Sequence, residues 1–217
     1  MKEDCLYKEV CTDECGNLCV RYSQMKYMLD HSNLPKSQRC IHKLKAPSCD
    51  IAAFDKLKNI QDYIDEFVEE GHNLYLWSTN VGNGKTTWSI KLLMQYFDSV
   101  WEYSAFNQMG IFINVPTYLM RCKNNISTPD EGLPDIQNGL LNAPLAVFDD
   151  VIVSKLSSYD YTNLEGYIDA RLFEKRSMIF TGNYSPNELE QLVGKRLRSR
   201  ICSDVVIELK GKDMRAQ

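Results

Sequence analysis

The chain has 217 residues, enough for one well-buried domain with a small accessory module and too few for two full-sized domains. Its formal charge of −4 excludes sequence-independent duplex binding driven by a basic excess, although a local basic patch stays open. The first residues, MKEDCLYKEV, hold no apolar core for a signal peptide, and no stretch reaches membrane-span length, so a soluble cytoplasmic protein without membrane partners is expected.

The stretch 1–48 is polar, cysteine-rich and poor in apolar periodicity apart from Met25, Tyr27, Met28 and Leu29. Six of the eight cysteines fall within the first fifty residues, which marks a separate N-terminal unit. In a reducing compartment these are thiols or metal thiolates rather than disulfides. Cys5, Cys11, Cys15 and Cys19 can supply a tetrahedral Zn²⁺ site whose metal adds folding energy that the few apolar residues cannot. Their spacing is looser than paired C-x-x-C knuckles. Cys40, His42, Cys49 and His31 are substitutes for any of the four, and reduced unliganded cysteines are the alternative.

From Ile51 the pattern changes. Phe54, Leu57, Ile60, Ile64, Phe67 and Val68 recur at helical spacing and Gly71 follows, which predicts one amphipathic helix over 51–70 at the head of a main domain spanning 51–217. Strands are expected at 73–79, 110–115, 145–148, 177–181 and 204–209. Helices are expected at 86–96, after Pro116, at 161–175, and after Ser185, whose Pro186 and Glu188 suit a first turn. The segment after Lys123, with Pro129 and Pro134, reads as a polar loop. Alternating strands and helices predict an α/β fold with a mostly parallel sheet covered on both faces.

The junction LYLWSTNVGNGKTT over 74–87 is a phosphate-binding loop placed between a strand and a helix. Thr79, Asn80, Val81, Gly82, Asn83, Gly84, Lys85 and Thr86 fill the frame G-x-x-x-x-G-K-[ST], with Thr79 in place of the first glycine and Thr87 following. Gly82 and Gly84 let backbone N–H groups turn inward around a phosphate, Lys85 can reach the β/γ oxygens, and the Thr86 hydroxyl can hold Mg²⁺. A β-branched Thr79 cannot easily take positive φ at the loop entrance, which counts against the motif.

Further on, Leu145–Phe148 delivers Asp149 and Asp150 to a strand's C-terminal edge, where open α/β sheets bind ligands. Asp149 can share Mg²⁺ with Thr86, and Asp150 can orient or deprotonate the attacking water. Thr181 and Asn183 end the next strand, where a neutral side chain can sense a γ-phosphate. The run 194–200, GKRLRSR, places Arg196 and Arg200 on one helical face with Arg198 turned away. By default such a run is a solvated face; a guanidinium from it can also serve a neighbour's γ-phosphate. Trp77 and Trp88 read as core, and 101–106 as a loop able to meet a single strand.

Taken in order, LYLWSTNVGNGKTT, PLAVFDD, FTGN, GKRLRSRI and GKDMR resemble the AAA+ ATPase domain of the bacterial and phage replicative helicase loaders of the DnaC/DnaI type. The resemblance covers about residue 51 to the end and implies a P-loop AAA+ (ASCE) three-layer fold using ATP and Mg²⁺. It implies Walker A roles for Lys85 and Thr86, Walker B roles for Asp149 and Asp150, and a sensor role for Asn183. It further implies an arginine finger at Arg200 with Arg196 beside it, and a nucleotide contact at Arg215. The implied partners are a replicative DnaB-type helicase, single-stranded DNA and further copies of the chain in an ATP-dependent homo-oligomer, with the cysteine-rich module gripping the helicase. Asp150 stands where many AAA+ proteins carry Glu, which implies slow hydrolysis suited to a switch. A P-loop small-molecule kinase and a catalytically weak ATP-binding regulator of a helicase or loader are the competing readings.

Overall fold

The computed structural model describes residues 5–8, 11, 19–40, 43–152 and 155–212. A five-stranded, wholly parallel sheet in the order β2-β3-β4-β1-β5 forms its middle layer. The strands are β1 (Asn73–Trp77), β2 (Gly110–Asn114), β3 (Leu145–Asp149), β4 (Ser177–Gly182) and β5 (Val205–Glu208). The three inner strands are buried almost throughout, as expected where both faces are covered.

Two-residue alternation along the strands sorts the core into two faces. Leu74, Leu76, Phe112, Leu145, Val147, Ile179 and Ile207 point to one side, against α1 (Val20–His31), α2 (Ile51–Asp62), α3 (Ile64–Glu69) and α4 (Lys85–Val100). Tyr75, Ile111, Ile113, Ala146, Phe148, Met178 and Phe180 point to the other. There they meet α5 (Val115–Asn124), α6 (Leu133–Asn142), α7 (Ser158–Phe173) and α8 (Pro186–Ile201). Trp88 is fully buried edge-on against Phe54, with ring centroids 5.1 Å apart, a geometry contributing about 0.5–1.5 kcal/mol beyond area burial. Trp77, half-buried, packs on the second cluster.

Several sequence expectations change in detail. The helix over 51–70 is two helices, parted where Tyr63 leaves helical geometry (φ −121°, ψ 39°). The polar loop after Lys123 contains α6, in which Pro134 occupies the first turn rather than breaking the helix and Leu133, Ile136 and Leu140 face inward. Helix α1 lies inside the polar stretch 1–48 and is well anchored. Met25, Met28 and Leu29 join the core beneath α4, and the buried Gln24 carboxamide accepts from Ser104 Oγ (2.8 Å) and the Phe106 backbone N–H (2.9 Å). After α1, Ser32 and Asn33 cover the outer edge of β2: Phe112 N–H donates to Ser32 O, and Asn33 Nδ2 donates to Phe112 O, both at 2.8 Å. Such capping removes an exposed strand edge. At Ser185 the expected capping box forms, with Ser185 Oγ accepting from Glu188 N–H and Glu188 accepting from Ser185 N–H. Among the described residues no helix is long and apolar enough to cross a membrane.

Candidate nucleotide site

Strand β1 leads to α4 on one face of the sheet, whereas its neighbour β4 leads to α8 on the other. Connections that part in this way open a crevice beyond the strands' C-terminal ends. The loops after β1, β3 and β4 all meet there, and they carry the residues singled out in the sequence.

The loop after β1 is organised by its own side chains. Gly82 (φ 71°) and Gly84 (φ 95°) take the left-handed positions, while Thr79 is exposed and does not have positive φ. The strain expected of a β-branched residue at the entrance is therefore absent. Ser78 Oγ accepts from the Asn80 N–H (3.0 Å) and from Asn83 Nδ2 (2.5 Å), and Asn83 Nδ2 also donates to Leu209 O (3.2 Å). Lys85, 7% exposed, lies along the loop with its ammonium donating to Asn80 O (3.0 Å) and Asn83 Oδ1 (3.3 Å). Helix α4 starts at Gly84 without a side-chain cap, so its first-turn N–H groups and positive dipole end are left for an anion.

Across the crevice, Asp149 is buried at the end of β3. Its Oδ1 accepts from Thr86 Oγ1 (2.8 Å) and Thr181 Oγ1 (2.7 Å). Burial raises its pKa above the ordinary carboxylate value, with Asp150 adding to the rise and the two threonine hydroxyls opposing it. Asp150 turns sharply (φ 53°) and lines the cavity together with Asn183 and the loop 81–87. The cavity measures ≈ 1020 Å³ and is walled on its remaining side by 43–49 and Lys212. Lys43, Lys45, Lys85 and Lys212 give it a cationic lining that the chain's net charge conceals. The hydroxyl of Thr86 beside the Asp149 carboxylate is a hard oxygen donor set suited to Mg²⁺.

No protein-family model matches the sequence, and no curated protein matches it either. Solved structures do. A DnaC helicase loader superposes with a TM-score of 0.63 at 20% identity, covering 77% of this chain and 94% of that one. A DnaI structure gives 0.60 at 18% identity, covering 83% and 94%. A DnaA replication initiator, solved with AMPPCP and single-stranded DNA, gives 0.61 at 14% identity, covering 78% of this chain and 49% of that one. The chain shares its fold with these helicase loaders and with DnaA.

Within that fold the arginines sit apart from the loop after β1. Helix α8 kinks at Gly194 (φ 79°, ψ 164°), and the turns beyond it lie against α7. Arg200 forms a two-point ion pair with Asp169, and Arg196 pairs with Glu165 (3.0 Å) and Asp169 (3.3 Å). Both arginines share one face, as their spacing requires, and neither lines the cavity beside the loop 81–87. Arg215 lies outside the described residues.

The cysteines give zinc no support. Cys19 caps α1, its sulfur accepting from the Tyr22 N–H at 3.5 Å, while Cys5 is half-buried and Cys11 exposed. Cys15 and His42 lie outside the described residues. Among the described residues no group of three or more His, Cys, Asp or Glu side chains is placed to hold a metal. In the loop 101–106, Trp101 packs against the core with Arg21 over its ring, and Tyr103 and Phe106 are exposed.

The sequence reading missed Lys43, Lys45 and Lys212 as cavity residues, and it missed the bracing of the loop. Asn80 Nδ2 donates to Lys210 O (3.0 Å) and Gly211 O (3.2 Å), while buried Asp50 accepts from the N–H groups of the same two residues (2.7 and 2.8 Å). The segment after β5 is thus held between the loop after β1 and the start of α2. The composition of K-x-K at 43–45 and G-K at 211–212 is a weak signal of phosphate affinity; nothing local in the sequence announces the contact.

Proposed function

We propose that the chain is an ATPase that acts in the cytoplasm as a loader, helping to place a replicative ring helicase on single-stranded DNA with ATP binding and hydrolysis as a switch. The observation that carries this reading is the Thr86 hydroxyl on buried Asp149, beside Lys85 and the Gly82/Gly84 loop, in a fold of loader type. In this reading the loop N–H groups and the α4 dipole bind the β- and γ-phosphates, and Lys85 exchanges Asn80 O for a phosphate oxygen. Thr86 and Asp149 hold Mg²⁺, which neutralises charge on the phosphates. Asp150 takes the proton of the attacking water, or orients that water, and Asn183 distinguishes a nucleotide with its γ-phosphate from one without.

Arg196 and Arg200, on α8 and held against α7 away from their own chain's cavity, serve the γ-phosphate of a neighbouring copy, so the complete site is shared in an oligomer. The stretch 1–48 is the part that meets the helicase. The AMPPCP and single-stranded DNA in the DnaA structure support the choice of ligands. The short carboxylate of Asp150 favours slow turnover, and a chain with tight ATP binding and almost no hydrolysis would instead be a regulator of the loading machinery.

Lys85→Ala should abolish binding of a fluorescent ATP analogue. Arg200→Ala should leave binding intact and remove the turnover stimulated by single-stranded DNA or by the helicase. Equal loss of both in Arg200→Ala would end the shared-site reading, and failure of the intact chain to capture a replicative helicase would end the loader reading.

A further inference from the structure

Adjacent residues of a strand point to opposite faces of the sheet, so two consecutive carboxylates converge on one site only if the backbone leaves strand geometry between them. Asp149 ends β3 and Asp150 makes that departure, with φ of 53°. A left-handed conformation is costly for most residues and tolerable for aspartate, and here hydrogen bonds to the next strand fix it. The neighbouring strand β4 does so at three points. Thr181 Oγ1 donates to Asp149 Oδ1 (2.7 Å), the same oxygen accepts from the Asp150 N–H (2.9 Å), and Thr181 O accepts from the Val151 N–H (2.8 Å). A hydroxyl has one proton and two lone pairs, so this one is fixed in orientation by its two partners.

Thr181 follows Met178, Ile179 and Phe180 and is 0% exposed. At such a position valine would match its shape and its strand preference without burying a hydroxyl, which adds little to folding on its own. We propose that Thr181 is a positioning residue for ATP hydrolysis, its hydroxyl setting the two carboxylates at the angle that lets Asp149 serve the Thr86 side of the site and Asp150 the water. The inference rests on the ATPase reading. It is separate from the sensor role of Asn183, because Thr181 acts through Asp149 and Asp150 and its donor is already committed.

The test uses the full chain and the variants Thr181→Val and Thr181→Ser, measuring ATP turnover, Mg²⁺-dependent binding of a fluorescent non-hydrolysable ATP analogue, and thermal unfolding. Thr181→Val should bind the analogue within about 3-fold of the parent at saturating Mg²⁺, require about 10-fold more Mg²⁺ for half-maximal binding, and turn over about 100-fold more slowly. Thr181→Ser, which keeps the hydroxyl, should recover turnover to within about 3-fold. On an Asp150→Asn background, Thr181→Val should slow turnover by less than about 2-fold further, since both changes disable one device. Parental turnover in Thr181→Val, effects that multiply with Asp150→Asn, or a lower melting temperature that accounts for the loss and that serine fails to restore would each overturn the proposal. Absence of analogue binding by the parent chain would sink the ATPase reading and the proposal together, whereas normal binding and turnover in Thr181→Val would remove only the role of Thr181.

Discussion

Arg171 is completely buried on α7 and, among the described residues, has no carboxylate partner. Its Nη1 donates to Leu140 O (2.9 Å) and Ala143 O (2.8 Å), and its Nη2 to Pro144 O (2.9 Å) and Ser177 O (2.8 Å). One guanidinium therefore ties the end of α6 and the entry to β3 onto the start of β4. Burial, with Arg176 adding a little, pushes its pKa down to about 9, and it still carries its charge at neutral pH. Hydrogen bonds from a charged donor contribute about 1.5–3 kcal/mol each, so Arg171→Ala removes roughly 6–12 kcal/mol of gross interaction. Against this, the buried charge and its desolvation cost of several kcal/mol also disappear, and water entering the vacated space re-pairs some carbonyls. The expected net loss is about 3–5 kcal/mol, or a fall in melting temperature of roughly 6–20 °C for a domain of this size. Arg171→Lys should lose about half as much, because a single ammonium cannot span both pairs of carbonyls. Chemical and thermal unfolding of both variants would measure this. ATP affinity, measured at a temperature where every variant is folded, should be unchanged, because Arg171 braces the strands' N-terminal ends and a five-residue strand sets the site roughly 15 Å away. A loss below about 1 kcal/mol for the alanine variant would refute the tally of carbonyls, and weaker ATP binding in the folded protein would refute the separation of brace from site.

Two further outcomes follow from local geometry. A Cβ built on Gly211 lies 2.8 Å from Asp50 Oδ2 and 3.0 Å from Pro47 Cγ, so Gly211→Ala should push the segment 43–49 off the cavity, costing about 1–3 kcal/mol of stability and weakening ATP-analogue binding several-fold; unchanged affinity would show that this wall does not touch the nucleotide. Protonated His72 donates to Asp204 Oδ2 (2.5 Å) and Glu70 Oε2 (2.8 Å), and the hydrogen bond to Asp204 raises its pKa above the ordinary imidazole value. A raised folded-state pKa contributes stability that is fully present below the unfolded value and is lost as pH rises through the folded value, so His72→Gln should flatten stability across that window, the effect being small because the pair is solvent-screened; an unaltered pH profile would count against it.

What the sequence makes legible here is what is contiguous. The left-handed turns at Gly82 and Gly84, the placing of Asp149 and Asp150 at the end of β3 and the capping box at 185–188 each depend on a short run of neighbours, and the structure has all three. Helix α1 is hidden for the opposite reason. Its inward residues, Gln24, Met25, Met28 and Leu29, are set among polar ones, and its stability comes from Ser104, Phe106 and Asp98, about eighty positions away. Helix α6 is hidden because Pro134 reads as a breaker in isolation and as a first-turn residue only once the helix is known. The crevice repeats this division at finer scale. Lys85 and Thr86 announce themselves by motif, yet what shapes the loop are Ser78 beneath it and Leu209, Lys210 and Gly211 more than a hundred residues later. Thr79, the residue that breaks the motif, proves inconsequential to the backbone, because the left-handed turns fall at Gly82 and Gly84. Motif departures should therefore be weighed by the φ each position needs rather than by the letter expected there. By that measure the consequential residue is Asp150, a non-glycine held at positive φ by a hydroxyl from the next strand, a constraint that no scan along the chain could register.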